Sequence, residues 1–244
     1  MKNKGMVLVS SDFPSAMKNC LVSDGWEAVN VPFCDQVMPS IGGHPELQVF
    51  VIDQQEIIVH PDIPNSFLET IKRKFSRIIV GNKHLSKEYP YDIAYNGKII
   101  GDTFFHKLEN TDPILLKSLT LAGYEFADVN QGYSGCSILN IGNEALITAD
   151  AGIAQSADIL GFDVLLITPG SIDLHGLNYG FIGGACAWDG LETVYFCGNV
   201  KHHPDGAKIT EFIHQFGYKT VNLSENRLTD YGSLLFIANN HSIL

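Results

Sequence analysis

A glycine followed by an aromatic residue introduces a short apolar run at four places in the chain: Gly25-Trp26, Gly123-Tyr124, Gly161-Phe162 and Gly217-Tyr218. A fifth copy, without the glycine, fits at Ser76-Arg77-Ile78-Ile79-Val80. The steps between copies are 51, 47, 38 and 56 residues, averaging 48, so five units fill about 240 of the 244 positions. A period in this range belongs to repeat and propeller architectures, whose units cannot bury their apolar faces alone. The repeat predicts one closed α/β domain over residues 1–244.

Each unit reads as strand, turn, strand, helix, strand. The clearest copy has strands at Ala185–Trp188 and Thr193–Cys197 around the turn Asp189-Gly190-Leu191-Glu192. His203-Pro204-Asp205 then opens a helix, with proline where no backbone N–H is needed. Ile209, Phe212, Ile213 and Phe216 follow at helical spacing, and Gly217 ends the helix as a residue able to take positive φ. The same order is expected from Leu47, from Ser137, and from Ile93-Ala94-Tyr95 with a hairpin turn at Asn96-Gly97.

The remaining unit is split between the two ends. Met6–Val9, a helix from Pro14 to Val22 and a strand after Gly25 lack one hairpin partner, which Ser233–Ile237 supplies, with a turn near Asn239-Asn240. Pairing the last strand with the first would close the ring and leave no exposed edge there.

Composition narrows the functional classes. Apolar residues are 45% of the chain and charged residues 18%, enough for a substantial core. The formal charge of -11 opposes sequence-independent binding to nucleic-acid phosphates. The densest basic run, Lys72-Arg73-Lys74, reads as the solvated face of a helix. Met6–Val9 is too short for a secretory core, and no apolar run approaches the roughly 18 residues of a membrane span. Five cysteines with no short paired spacing do not form a disulfide framework. The expectation is a cytoplasmic protein without nucleic-acid or membrane partners. No cofactor is expected, since Gly180, Gly183 and Gly184 have the wrong spacing for a nucleotide-binding loop.

Glycine-rich joints precede the units at 41–46, 131–136, 179–186 and 230–233, while the joint at 88–92 lacks glycine. In a radial arrangement these positions meet at the axis, where small residues let backbones approach closely. The joints carry Gly42-Gly43-His44-Pro45-Glu46, Gly132-Tyr133-Ser134-Gly135-Cys136-Ser137 and Asn178-Tyr179-Gly180-Phe181-Ile182-Gly183-Gly184.

With these motifs the chain resembles an uncharacterised branch of the pentein superfamily over nearly its whole length. The resemblance implies a five-fold pseudosymmetric α/β propeller of ββαβ-type units whose N- and C-terminal segments share one unit. Penteins include deiminases, dimethylarginine hydrolases and amidinotransferases that modify guanidino groups, and also a ribosomal anti-association factor. Their catalytic members bring a cysteine nucleophile, a histidine and cation-holding carboxylates to the axis.

This chain departs from the pattern. Asp230-Tyr231-Gly232-Ser233 stands where the C-terminal cysteine is expected, Ile182-Gly183 where His-Leu is expected, and Gly135-Cys136-Ser137 where Gly-Gly-Asp is expected. The candidate nucleophiles are therefore the joint cysteines Cys136 and Cys186, with His44 as proton carrier. Glu46, Asp230, Tyr133, Tyr179 and Tyr231 are the candidate substrate-binding residues. No metal site is expected, because His203-Pro204-Asp205 is explained by helix initiation and adjacent His202 and His203 point apart. The expected activity is that of a cysteine-dependent hydrolase or transferase acting on a small polar, guanidine- or amide-like molecule. The alternative is a non-catalytic pentein that binds a ligand or a macromolecule.

Overall fold

The computed structural model describes residues 3–239. Five three-stranded sheets are formed, each with a middle strand antiparallel to its inner neighbour and parallel to its outer one. The middle strands are Gly5–Val9, Glu56–Val59, Thr103–His106, Ala145–Thr148 and Thr193–Phe196. All are buried almost throughout, which is why they read as continuous apolar runs rather than alternating ones.

Their period of two is still present, divided between two cores. Met6 and Leu8 pack in one cluster with Val49, Ile57 and Val59, whereas Val7 and Val9 pack in another with Ala187, Tyr195 and Cys197. Ile58 turns to a third cluster with Phe104 and Leu115, and Ile100 and Phe105 to a fourth with Ile138 and Leu146. Ile147 meets Val194 and Phe196 in the fifth. Each cluster joins one unit to the next, and the Val7 cluster joins the last to the first, so the ring closes through its hydrophobic contacts.

The split unit assembles as the repeat predicts. Leu235–Ala238 pairs antiparallel with Gly5–Val9, in register from Gly5 opposite Ala238 to Leu8 opposite Leu235. The expected turn near Asn239-Asn240 runs outside the described residues. Gly25, Gly123, Gly161 and Gly217 all have φ between +81° and +97°, as required to leave a helix and enter the closing strand.

Two expectations are corrected. Ile93–Tyr95 is not a strand, and Asn96-Gly97 is not the hairpin turn: the hairpin is Lys98–Ile100 with Thr103–His106, turning at Gly101 with φ +55°. The Asn-Gly signal is used instead to carry the chain across the axis, where a Cβ on Gly97 would lie 2.2 Å from the Phe104 ring. In addition, three joints do not run straight into strands. Pro45–Gln48, Ser134–Ser137 and Ile182–Ala185 are single helical turns, and the inner strands begin only after them, at Val49, Ile138 and Cys186.

These turns crowd the axis. A Cβ on Gly183 would lie 2.3 Å from the Ile138 carbonyl oxygen and 2.8 Å from that of Cys136. Below them, a cavity of about 440 Å³ touches the inner strand of every sheet, including Val49, Lys98, Asn140, Ala187 and Leu235. No helix among the described residues is long and apolar enough to cross a membrane.

Candidate functional site

Pro45 forces His44 out of the helical region, and His44 is accordingly extended (φ -68°, ψ 121°) at the start of the turn Pro45–Gln48. Glu46, one step into that turn, and Cys136, in the turn Ser134–Ser137, then converge from two units. The Cys136 thiol donates to Glu46 Oε1 at 2.7 Å, and His44 Nδ1 lies 3.2 Å from the same oxygen. The other oxygen, Oε2, accepts the Ser233 N–H at 2.7 Å. Asn96 clasps the cysteine from a third unit: its Nδ2 donates to the sulfur and its Oδ1 accepts the Cys136 N–H, each at 3.2 Å.

Asp230 completes the group. Its Oδ1 is 3.9 Å from His44 Nδ1, and it accepts N–H bonds from Phe181 at 2.8 Å and Gly232 at 2.9 Å. Gly184 has to be a glycine here, since a Cβ would lie 2.0 Å from Asp230 Oδ1. His44, Glu46, Cys136 and Asp230 are all at most 4% exposed.

Burial sets the protonation states together with charge. Burial alone would lower the His44 pKa, but the carboxylates of Glu46 and Asp230 outweigh it and raise the value to about 9. Burial works to raise that of Glu46, yet the His44 charge and its bonds to His44 and Cys136 hold it below the ordinary 4.5. For Cys136, burial and then the negative charges of Glu46 and Asp230 push the thiol well above 9.0. Burial also raises Asp230, with Glu46 adding to the shift and His44 opposing it. At neutral pH the resting group is an imidazolium–carboxylate pair beside a protonated thiol.

His44, Cys136 and Asp230 form the floor of a cavity of about 260 Å³. Tyr133 and Tyr179 line its wall; the Tyr133 hydroxyl donates to Asp92 at 2.5 Å, and Tyr179 is half-exposed at the mouth. Two candidates lie elsewhere. Cys186 is the first strand residue after its helical turn, so its thiol folds back to donate to the Ile182 carbonyl at 2.8 Å within the core. Tyr231 packs edge-on against Phe13, at 5.8 Å between centroids, and lines an outer depression with Asp12 and His175 that adjoins the cavity across Leu174 and Leu177.

Three contributors escape sequence reasoning. Asn96 is hidden inside an apparent turn signal and Ser233 acts through its backbone. Lys98 opens into the 440 Å³ cavity on the other side of Glu46, and has no ion-pair partner among the described residues. Burial lowers its pKa, opposed by the charge of Glu46. One ligating atom each from His44, Glu46 and Cys136 also lie within 4.8 Å of one another, so all three could hold one thiophilic ion. Their separation in sequence gives no hint of that set, and none was expected.

A family model described as a family of unknown function, DUF6873, matches residues 8–235. The chain belongs to DUF6873. No curated protein matches this DUF6873 chain in sequence. Among solved structures it is similar to the inosamine-phosphate amidinotransferase StrB1 from Streptomyces griseus (TM-score 0.59, 10% identity, covering 100% of this chain and 96% of that one). It is also similar to a dimethylarginine dimethylaminohydrolase variant in its adduct with S-methyl-L-thiocitrulline (TM-score 0.57, 12% identity, covering 91% and 92%). A third likeness is to SxtG, an amidinotransferase from Microseira wollei in the saxitoxin biosynthetic pathway (TM-score 0.51, 13% identity, covering 91% and 89%). This DUF6873 chain therefore has the pentein fold.

Proposed function

We propose that this protein is a cysteine-dependent hydrolase or transferase acting on a guanidine- or amide-like small molecule, with Cys136 as nucleophile and His44 as proton carrier. The observation that carries the reading is the continuous chain from the Cys136 thiol through Glu46 to His44 at the floor of a cavity that opens past Tyr179. It joins a nucleophile, a proton acceptor and a proton donor within one buried group.

As the sulfur attacks the planar carbon, the S–C bond forms and the thiol proton passes to Glu46. The imidazolium of His44 gives its proton to the leaving nitrogen, and the C–N bond breaks to release an amine. Neutral His44 then takes a proton from water, or from an acceptor amine in a transfer, as that oxygen or nitrogen attacks the same carbon. The S–C bond breaks, and the thiolate recovers its proton from Glu46. A cationic substrate beside Asp230 and Glu46 would offset the negative charge that keeps the resting thiol protonated.

The fold relatives are an amidinotransferase, a dimethylarginine dimethylaminohydrolase variant caught as an adduct and a second amidinotransferase, which supports this class of chemistry. The high pKa of Cys136 favours the second reading, a ligand-binding pentein without turnover. Chloroacetamidine separates the two when followed by peptide mapping. Catalysis predicts one adduct, at Cys136, that is lost in Glu46→Gln. Labelling of exposed Cys20 alone would leave the binding module as the better account.

A further inference from the structure

We infer that the molecule taken by the axial cavity carries its reactive head on a bulky apolar substituent and bears no anionic group. This rests on the reading of His44, Cys136 and Asp230 as the reactive floor, with Glu46 bonded behind it, and adds to it the class of substrate.

The floor and the walls have opposite characters. Above the ionised floor, the cavity is walled by Met38, Ile41, Leu47, Leu174, Leu177 and Phe181, together with the rings of Tyr133 and Tyr179. Asn178 is the one amide among its lining residues, and no lysine or arginine lines it. An amino-acid substrate would need a cation for its carboxylate. Lys98 belongs to the cavity on the opposite side of Glu46, and Arg227 is paired with Asp173 at 3.3 Å. The one cation among the lining residues, the His44 imidazolium, is already paired with Glu46 and faces Asp230. A substrate carboxylate held between these charges and the apolar walls would lose its water and gain no free partner. An alkyl or aryl group displaces water from the same walls without that loss.

Leu174, Leu177 and Tyr179 lie on the segment between Gly170 (φ +87°) and Gly180, which is held by the Gly180 N–H bond to Ile172 and the Asp173 N–H bond to Leu228. The apolar wall is thus a fastened part of the fold. Leu177 and Tyr179 are 43% and 44% exposed, placing them at the mouth where a long substituent would emerge.

Calorimetric titration of the full chain with guanidine, butylguanidine, hexylguanidine and arginine tests the inference. Affinity should rise about threefold to fourfold per added methylene along the alkyl series. Arginine should bind no tighter than guanidine. Leu177→Lys, a change at a half-exposed position, should weaken hexylguanidine and bring arginine up by tenfold or more. Arginine binding tighter than hexylguanidine to the native chain overturns the inference while leaving the reactive floor intact. Binding unaffected by Leu177→Lys overturns it by locating the ligand elsewhere. If no guanidine binds at all, the guanidine form of the underlying reading falls, and the inference with it.

Discussion

The Cys136 thiol donates to Glu46 Oε1 across 2.7 Å, although the two residues are 90 positions apart in the chain. Glu46 also faces His44 and accepts the Ser233 N–H, so one carboxylate holds together three segments of the axis. Glu46→Gln should therefore act on its neighbours more than on itself. Without the negative charge, burial should lower the His44 pKa from about 9, with Asp230 and Asp12 left to sustain part of the rise, measurable by proton NMR of the imidazole. The loss in unfolding free energy at pH 7 should be about 3–5 kcal/mol, as for breaking a buried pair. An unchanged His44 titration would remove Glu46 from the account.

Stability should peak near pH 6.5. His44 is raised to about 9, so its contribution, on the order of 3 kcal/mol, is complete below 6.5 and is lost as pH climbs through 9. The thiols of Cys136, Cys186 and Cys197, raised by burial, add to the alkaline loss once the unfolded thiols ionise above 9.0. His60 and His106 are lowered by burial to about 4, so their contribution is present above 6.5 and is lost as pH falls towards 4. Urea unfolding from pH 4 to pH 10 measures the curve. A flat profile, or a maximum at pH 9, contradicts these assignments.

Glycines of two kinds should respond differently to alanine. Gly123 has open space around its missing Cβ but φ +85°, so Gly123→Ala should cost about 1–2 kcal/mol, from backbone conformation alone. Gly183→Ala drives a methyl group against the carbonyls of Ile138, Gly135 and Cys136 and should cost more than Gly123→Ala, about 3 kcal/mol. Chemical denaturation ranks the pair, and the reverse order would show that the axis can relax.

Gly184→Ala directs the same clash at a side chain. Its methyl group would displace the Asp230 carboxylate, breaking the N–H bonds from Phe181 and Gly232. Removing that negative charge from His44 should lower the imidazole pKa, and any cation affinity should fall by roughly tenfold, for one charge-assisted contact of about 1.5 kcal/mol. A variant with native His44 titration and native affinity would show Asp230 to be a structural cap only.

What could be read in advance divides along a physical line. Gly123, Gly161 and Gly217 announce helix ends because positive φ is a local demand, and Leu235–Ala238 announces its partner because an incomplete unit needs one. His44-Pro45-Glu46 and Cys136 were legible as axial because glycine marks close approach. Asn96 was not, since Asn-Gly has a simpler local meaning as a hairpin turn, whereas the hairpin forms at Gly101 and Asn96 bonds Cys136. The division between Cys136 and Cys186 was equally hidden. Both stand in glycine-rich joints, and two residues of phase separate them. Cys136 is the third residue of its helical turn and faces the cavity, whereas Cys186 is the first residue after its turn and bonds the Ile182 carbonyl.

Strand Leu235–Ala238 has a consequence for the birth of the protein. Gly5–Val9 is made long before its antiparallel neighbour, and Asp230 and Ser233 travel just ahead of that neighbour. A nascent chain still held at residue 220 on the ribosome has its thiol and its imidazole but neither of these contacts. The buried group around Glu46 is therefore completed only when Leu235–Ala238 docks, and a copy stopped short of that strand lacks both contacts.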